Sequence, residues 1–154
     1  MTREDTTPSA SSTPHGAPEM SWYAWGDPER ARALDPGLRD LISQALNADF
    51  RDMPPVHEEQ VELPPSRLAD SLRKALAAVV GAEHVRTDDA VRLRRSGGKS
   101  TPDLLLRRMG KADSAPDAVV LPADHDQVQR LLEVCSAERV AVVPFGGGTS
   151  VVGG

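Results

Sequence analysis

Between residues 114 and 154 a bounded apolar run, an amphipathic stretch, a second apolar run and a row of glycines follow one another, and this succession limits the fold more than any other feature of the chain. The first run, Ala118-Val119-Val120-Leu121, is rich in β-branched residues and enclosed by Pro116 and Pro122, as expected of a short buried strand. Asp124 and Gln127 then fit a capping box, and Val128, Leu131, Leu132 and Cys135 recur at i, i+3, i+4 and i+7, which predicts a helix with Cys135 in the core as a small hydrophobe. After Glu138-Arg139 the run Val140-Ala141-Val142-Val143 predicts a second buried strand, leading into Pro144-Phe145-Gly146-Gly147-Gly148-Thr149-Ser150-Val151-Val152-Gly153-Gly154. Strand, helix, strand and glycine loop make a βαβ unit, which places the chain in the α/β (α+β) class.

Gly146, Gly147 and Gly148 remove three side chains in succession, so the backbone can adopt positive φ and meet a ligand at contact distance. Consecutive N–H groups in such a turn suit an oxygen-rich anion such as a diphosphate, and Thr149 and Ser150 add hydroxyl donors, with Gly153 and Gly154 permitting a second close approach. The alternative for the glycines is a flexible turn with no ligand, since glycine-rich turns are common. The spacing is neither G-x-G-x-x-G nor G-x-x-x-x-G-K-[ST], which points away from the common dinucleotide and triphosphate loops. Gly97-Gly98-Lys99-Ser100-Thr101 resembles the end of the latter, but Leu93 stands where its first glycine belongs and no buried strand precedes it, so kinase or ATPase chemistry is excluded.

Upstream, Met1 to Pro18 offers little apolar surface to bury and is expected to be a disordered tail. Met20-Ser21-Trp22-Tyr23-Ala24-Trp25-Gly26 gathers both tryptophans and the one tyrosine, as an arm over a core edge or as a ligand contact. Leu38, Leu41, Ile42, Ala45 and Leu46 predict an amphipathic helix within 34–50, with Asp35 as cap and Pro36 in the first turn. Pro54-Pro55 and Pro64-Pro65 bracket an extended stretch, and a second helix is expected from Ser66 to Val80, closed by Gly81. From Arg86 to Lys111 eight basic residues face only Asp88, Asp89 and Asp103, in a chain whose net charge is −5. That stretch reads as a surface facing an anion or as a solvated charged face. Within it, Thr101-Pro102-Asp103 predicts a short helix that Gly110 ends.

The overall acidity argues against nucleic-acid binding. A single cysteine allows no internal disulfide, no Cys/His cluster suggests a metal, and no run of about 20 apolar residues suggests a membrane span. With no secretion signal in the first residues, the expectation is a cytoplasmic protein. His57, His84 and His125 have no partner pattern, and none is expected to be catalytic.

The stretch from Pro116 to Pro122, the helix after it and the run Val140 to Gly154 resemble the opening of the FAD-binding domain of vanillyl-alcohol oxidase type flavoproteins. Within that superfamily the chain is most similar to alkyldihydroxyacetonephosphate synthases and their bacterial FAD-binding oxidase relatives. The features that carry this are Trp22-Tyr23-Ala24-Trp25-Gly26, the stretch from Gly97-Gly98-Lys99-Ser100 to Gly110, and Phe145 before the glycines. D-lactate and glycolate dehydrogenases share the glycine loop and form the alternative. The resemblance implies an N-terminal helical region with a basic segment over 19–113, then, over 114–154, the first βαβ unit of a PCMH-type FAD-binding domain, incomplete within these residues. It implies that Pro144, Phe145, Gly146, Gly147, Gly148, Thr149 and Ser150 wrap the FAD diphosphate with Gly153 and Gly154 nearby. Relatives that attach flavin through a histidine of this loop carry it where this chain has Thr149, so FAD is expected to be noncovalent.

In the synthases the acyl group of an acyl dihydroxyacetone phosphate is exchanged for a fatty alcohol without net redox change, which implies a small-molecule substrate, a phosphate ester, for a full-length relative. The catalytic residues of the family fall later than Gly154, so these residues read as the N-terminal fragment of a flavoenzyme, inactive by itself and no tight FAD binder. A small nucleotide- or protein-binding module is the reading from a different class.

Overall fold

The computed structural model describes residues 21–50 and 53–153, so the expected tail over 1–18 lies outside the described residues. The chain divides into two compact units, one up to Arg51 and the other from Asp52 onward.

In the first unit, helix α1 spans Pro36–Leu46. Asp35 caps it, its carboxylate accepting from the N–H groups of Gly37 at 2.9 Å and Leu38 at 3.2 Å, with Pro36 in the first turn where a missing N–H costs nothing. The helix stops at Asn47, which takes the left-handed conformation (φ 47°) that ends helices, so residues 48–50 are not helical despite the apolar spacing. No residue of α1 is buried, and Leu41 and Leu46 of its apolar stripe are exposed. Of the aromatic cluster, Trp22 is buried and meets Tyr23 edge to face at 5.3 Å, whereas Trp25 is exposed.

The second unit contains helix α2 (Asp70–Val80), strand β1 (Val85–Arg86), helix α3 (Asp89–Arg94), helix α4 (Thr101–Arg108), strand β2 (Val119–Val120) and helix α5 (His125–Ala137). Its core is Leu72, Leu76, Val80, Val85 and Cys135, flanked by Leu68, Ala77, Val79, Val120, Leu131 and Val134, so the apolar stripes of α2 and α5 close on each other and on the small sheet. Cys135 lies where its helical spacing places it, and burial pushes its thiol pKa up, away from reactive thiolate. The α5 start is satisfied as its sequence demands: Asp124 accepts from Gln127 N–H at 2.8 Å and Gln127 Oε1 accepts from Ala123 N–H at 2.8 Å. Asp124→Ala is expected to cost about 1 kcal/mol, the usual worth of such a cap, in urea unfolding.

The second helix starts four residues later than its periodicity predicts. Ser66 Oγ donates to the Asp117 carbonyl at 2.7 Å and Arg67 N–H to the Asp117 carboxylate at 2.8 Å, which holds residues 66–69 extended against the entry to β2. The proline-bracketed stretch is extended apart from a 3-10 turn at Glu58–Gln60, and it forms one isolated bridge, Glu62 to Lys111.

The sheet departs from the expectation most. β2 pairs antiparallel with β1, Val85 opposite Val120 and Arg86 opposite Val119. The run Val140–Val143, expected as a second buried strand, joins no ladder among the described residues and is exposed, Val143 at 83%. An apolar β-branched run is a strand only where a neighbouring strand supplies its hydrogen bonds, and within this unit none does. The chain is accordingly mixed helix with a small two-stranded sheet.

Candidate functional site

The glycine loop after residue 143 is shaped by two of its own contacts. Gly148 has φ +62°, and a Cβ there would come within 2.5 Å of the Phe145 ring, so glycine is required for the turn to fold over that ring. Gly146 and Gly147 differ: a Cβ at Gly146 meets nothing within 4 Å, and one at Gly147 meets only the Thr149 methyl at 3.5 Å. The bareness of these two residues is not demanded by the chain's own packing. What it leaves is backbone open to solvent, which a ligand could approach at contact distance. Pro144, Thr149 and Ser150 are exposed at the same loop, Gly153 follows with φ +76°, and Gly154 lies outside the described residues.

The structure also brings to this loop a stretch that sequence reasoning set aside as a failed triphosphate motif. Lys99 N–H donates to the Ser150 carbonyl at 2.5 Å, and a Cβ on Gly98 would stand 2.6 Å from that same oxygen, so Gly98 and Lys99 lie directly on Ser150. Ser100 caps α4: its hydroxyl accepts from Asp103 N–H at 3.3 Å and donates to the Asp103 carboxylate at 2.6 Å. Gly98, Lys99 and Ser100 are buried, as is Arg107 farther along α4. The Arg95 guanidinium sits 5.9 Å from the Phe145 ring centre.

These positions correct the reading of the basic stretch as a face turned wholly to solvent. Arg92, Lys99 and Arg107 are 2%, 7% and 4% exposed. Burial first, and the Arg107 charge second, bring the Lys99 pKa down to about 8. Burial also lowers Arg107, against the Asp103 carboxylate, which raises it. The signal that could have found Lys99 was the pair of glycines before it inside a basic stretch of an acidic chain. His57, His84 and His125 stand at a 3-10 turn cap, in a 3-10 turn and at the start of α5. Among the described residues no group of His, Cys, Asp and Glu could hold a metal, and no helix is long and apolar enough to cross a membrane.

Residues 116–154 match the model of a family described as an FAD binding domain. Protein Rv2250A of Mycobacterium tuberculosis is 47% identical over 105 residues, which are 68% of this chain and 70% of that protein. The chain belongs to the family of that mycobacterial protein. An alkyldihydroxyacetonephosphate synthase of Trypanosoma brucei brucei is 32% identical over 157 residues, 88% of this chain but 26% of the synthase. A solved alkyldihydroxyacetonephosphate synthase superposes with a TM-score of 0.74 at 27% identity, covering 87% of this chain and 29% of that one. The chain therefore spans little more than a quarter of the synthases it matches; over that part its fold is similar to theirs, and residues 116–154 match an FAD binding domain. The α/β (α+β) reading stands at that level, and Val140–Val143 joins no strand among the described residues.

Proposed function

We propose that this chain supplies the diphosphate-binding corner of a noncovalent FAD site in a cytoplasmic, alkyldihydroxyacetonephosphate synthase-like flavoenzyme. The observation that carries the reading is the open cradle at Gly146 and Gly147, where glycine stands without any packing reason inside the chain. Backbone N–H groups from Gly146 to Ser150 would take the diphosphate oxygens, Thr149 and Ser150 would add hydroxyl donors, and the Phe145 ring under Gly148 would keep the turn closed. FAD, when bound, supplies two-electron chemistry at its flavin ring. Thr149, with no nucleophilic nitrogen, would leave the flavin unlinked to the chain.

The likeness to the synthases reaches over 88% of the chain, well beyond the FAD segment, and this supports a substrate carrying a phosphate ester over the 2-hydroxy acid of the D-lactate and glycolate dehydrogenases. The domain boundaries that go with this reading are the helical region over 19–113 and the FAD-binding segment from residue 114.

Gly147→Val tests it. The Cβ position is free of clash in the chain itself, so the fold is expected to survive while the branched side chain occupies the place of the ligand. In a purified holoprotein containing these residues the variant is expected to lose the yellow flavin, with far-UV dichroism unchanged. Retention of flavin at wild-type affinity contradicts the assignment, and flavin remaining on acid-precipitated wild type contradicts noncovalent binding.

A further inference from the structure

One motif stands outside the proposed function: Gly97-Gly98-Lys99-Ser100-Thr101, which carries no triphosphate chemistry yet touches the glycine loop. Gly98, Lys99 and Ser100 are buried, whereas residues 144–147 and 149–152 are exposed. The run 140–143 enters no ladder among the described residues, so the loop is not held from its strand side. Among the described residues, the one hydrogen bond that joins 144–153 to the rest of the chain runs from the Lys99 N–H to the Ser150 carbonyl. A loop held at so few points loses backbone freedom when it closes on a ligand, and a contact that orders it beforehand strengthens binding without touching the ligand.

The turn is shaped for that contact. A Cβ on Gly98 would stand 2.6 Å from the Ser150 carbonyl oxygen and 3.1 Å from the Ser150 Cβ, and a backbone oxygen engaged in a hydrogen bond cannot swing aside as the end of a side chain can. Gly97 is bare for a different neighbour, since the buried Arg107 places Nη2 2.9 Å from its Cβ position. Ser100 then caps α4, which anchors the turn to a helix, and its Oγ lies 3.9 Å from the Cβ position of Gly153, a second approach to the loop. Because the peptide unit is planar, fixing the Ser150 carbonyl also fixes the direction of the Val151 N–H. We propose that Gly98 is a positioning residue: the turn over 97–100 is a clasp that holds the Ser150 end of the glycine loop in its ligand-ready conformation, through the Lys99 N–H and the space that Gly98 leaves. The inference rests on reading the loop as a diphosphate site, and it concerns how strongly that site binds rather than which atoms touch the ligand.

The test uses Gly98→Ala, both in the isotope-labelled 154-residue chain and in a purified FAD holoprotein containing these residues. In the chain, amide shifts of 148–152 are expected to change and the Lys99 amide to exchange at least tenfold faster, with the protected amides of α2 and α5 unaltered. In the holoprotein the FAD dissociation constant is expected to rise at least tenfold, which a merely structural role for Gly98 would not produce while α2 and α5 keep their protection. FAD affinity within about twofold of wild type, with the Lys99 amide released, overturns the positioning role and leaves the loop reading standing. Gly147→Val retaining its flavin overturns the loop reading and this inference together. Wild type supplies a measurement that needs no variant, should alanine at 98 unfold the chain. By linkage, a clasp that favours the ligand is favoured by it, so the Lys99 amide is expected to exchange at least threefold more slowly in the holoprotein than in its flavin-free form. Equal exchange in the two forms overturns the proposal, as does a Lys99 amide that exchanges as fast as exposed amides in the wild-type chain.

Discussion

Replacing Arg92 by Met is expected to destabilise the second unit by about 2–4 kcal/mol, from the loss of charge-assisted hydrogen bonds to two backbone carbonyls at roughly 1–3 kcal/mol each. Arg92 is 2% exposed, and its guanidinium joins three parts of the chain: Nε donates to the Pro116 carbonyl at 2.7 Å, Nη2 to the Pro64 carbonyl at 2.6 Å and Nη1 to the Asp89 carboxylate at 2.9 Å. Pro64 ends the extended stretch and Pro116 begins the segment leading into β2, while Arg92 itself stands on α3. Methionine fills similar volume but leaves two carbonyl oxygens and a carboxylate without their donor. Lysine should rescue little, because a single ammonium cannot reproduce a planar fork aimed at three acceptors. Urea unfolding of both variants decides it, and a loss below about 1 kcal/mol for Arg92→Met would show that the three contacts carry no net stability.

Arg92 also shows where the sequence is mute. Its type and its place in a basic stretch suggest a charged surface, yet its partners lie 24 and 28 residues away, at carbonyls that every residue type possesses. Features closed within one turn were legible: the Asp124 cap with Gln127, Asp35 with Pro36, Gly110 with φ +77° after α4, and Cys135 on the inner face of α5. Features set by distant partners were not. The first turn of α2 is lost to Asp117, fifty residues on, and Val140–Val143 has strand composition without a neighbour to make it a strand. For the candidate site, the glycine loop was legible from its own residues, because removing side chains leaves a local signature. The contact of Gly98 and Lys99 with Ser150 was not, since nothing local in either stretch encodes the other.

Lys99 should make the chain more stable as the solution becomes more alkaline, the reverse of what a favourably paired lysine does. Its pKa is lowered from 10.5 to about 8 in the folded chain, by burial and then by Arg107. Below pH 8 both folded and unfolded states hold the proton, so the folded state bears the full cost of a buried charge. Between pH 8 and 10.5 the folded state has released the proton while the unfolded state keeps it, and unfolding then takes up protons, so stability rises with pH. Above pH 10.5 the cost is gone. Each pKa unit corresponds to about 1.4 kcal/mol, so the whole rise amounts to roughly 3 kcal/mol. Lys99→Met should therefore be more stable than wild type at pH 7 by about that amount, with the difference shrinking through the 8–10.5 window as the wild type catches up. Every other titratable group occurs in both proteins, so the comparison isolates residue 99. Urea unfolding of the pair at pH 7, 8, 9 and 10 measures it. A difference that is independent of pH, or a methionine variant less stable than wild type at pH 7, would mean that the Lys99 charge is already well compensated in the folded chain.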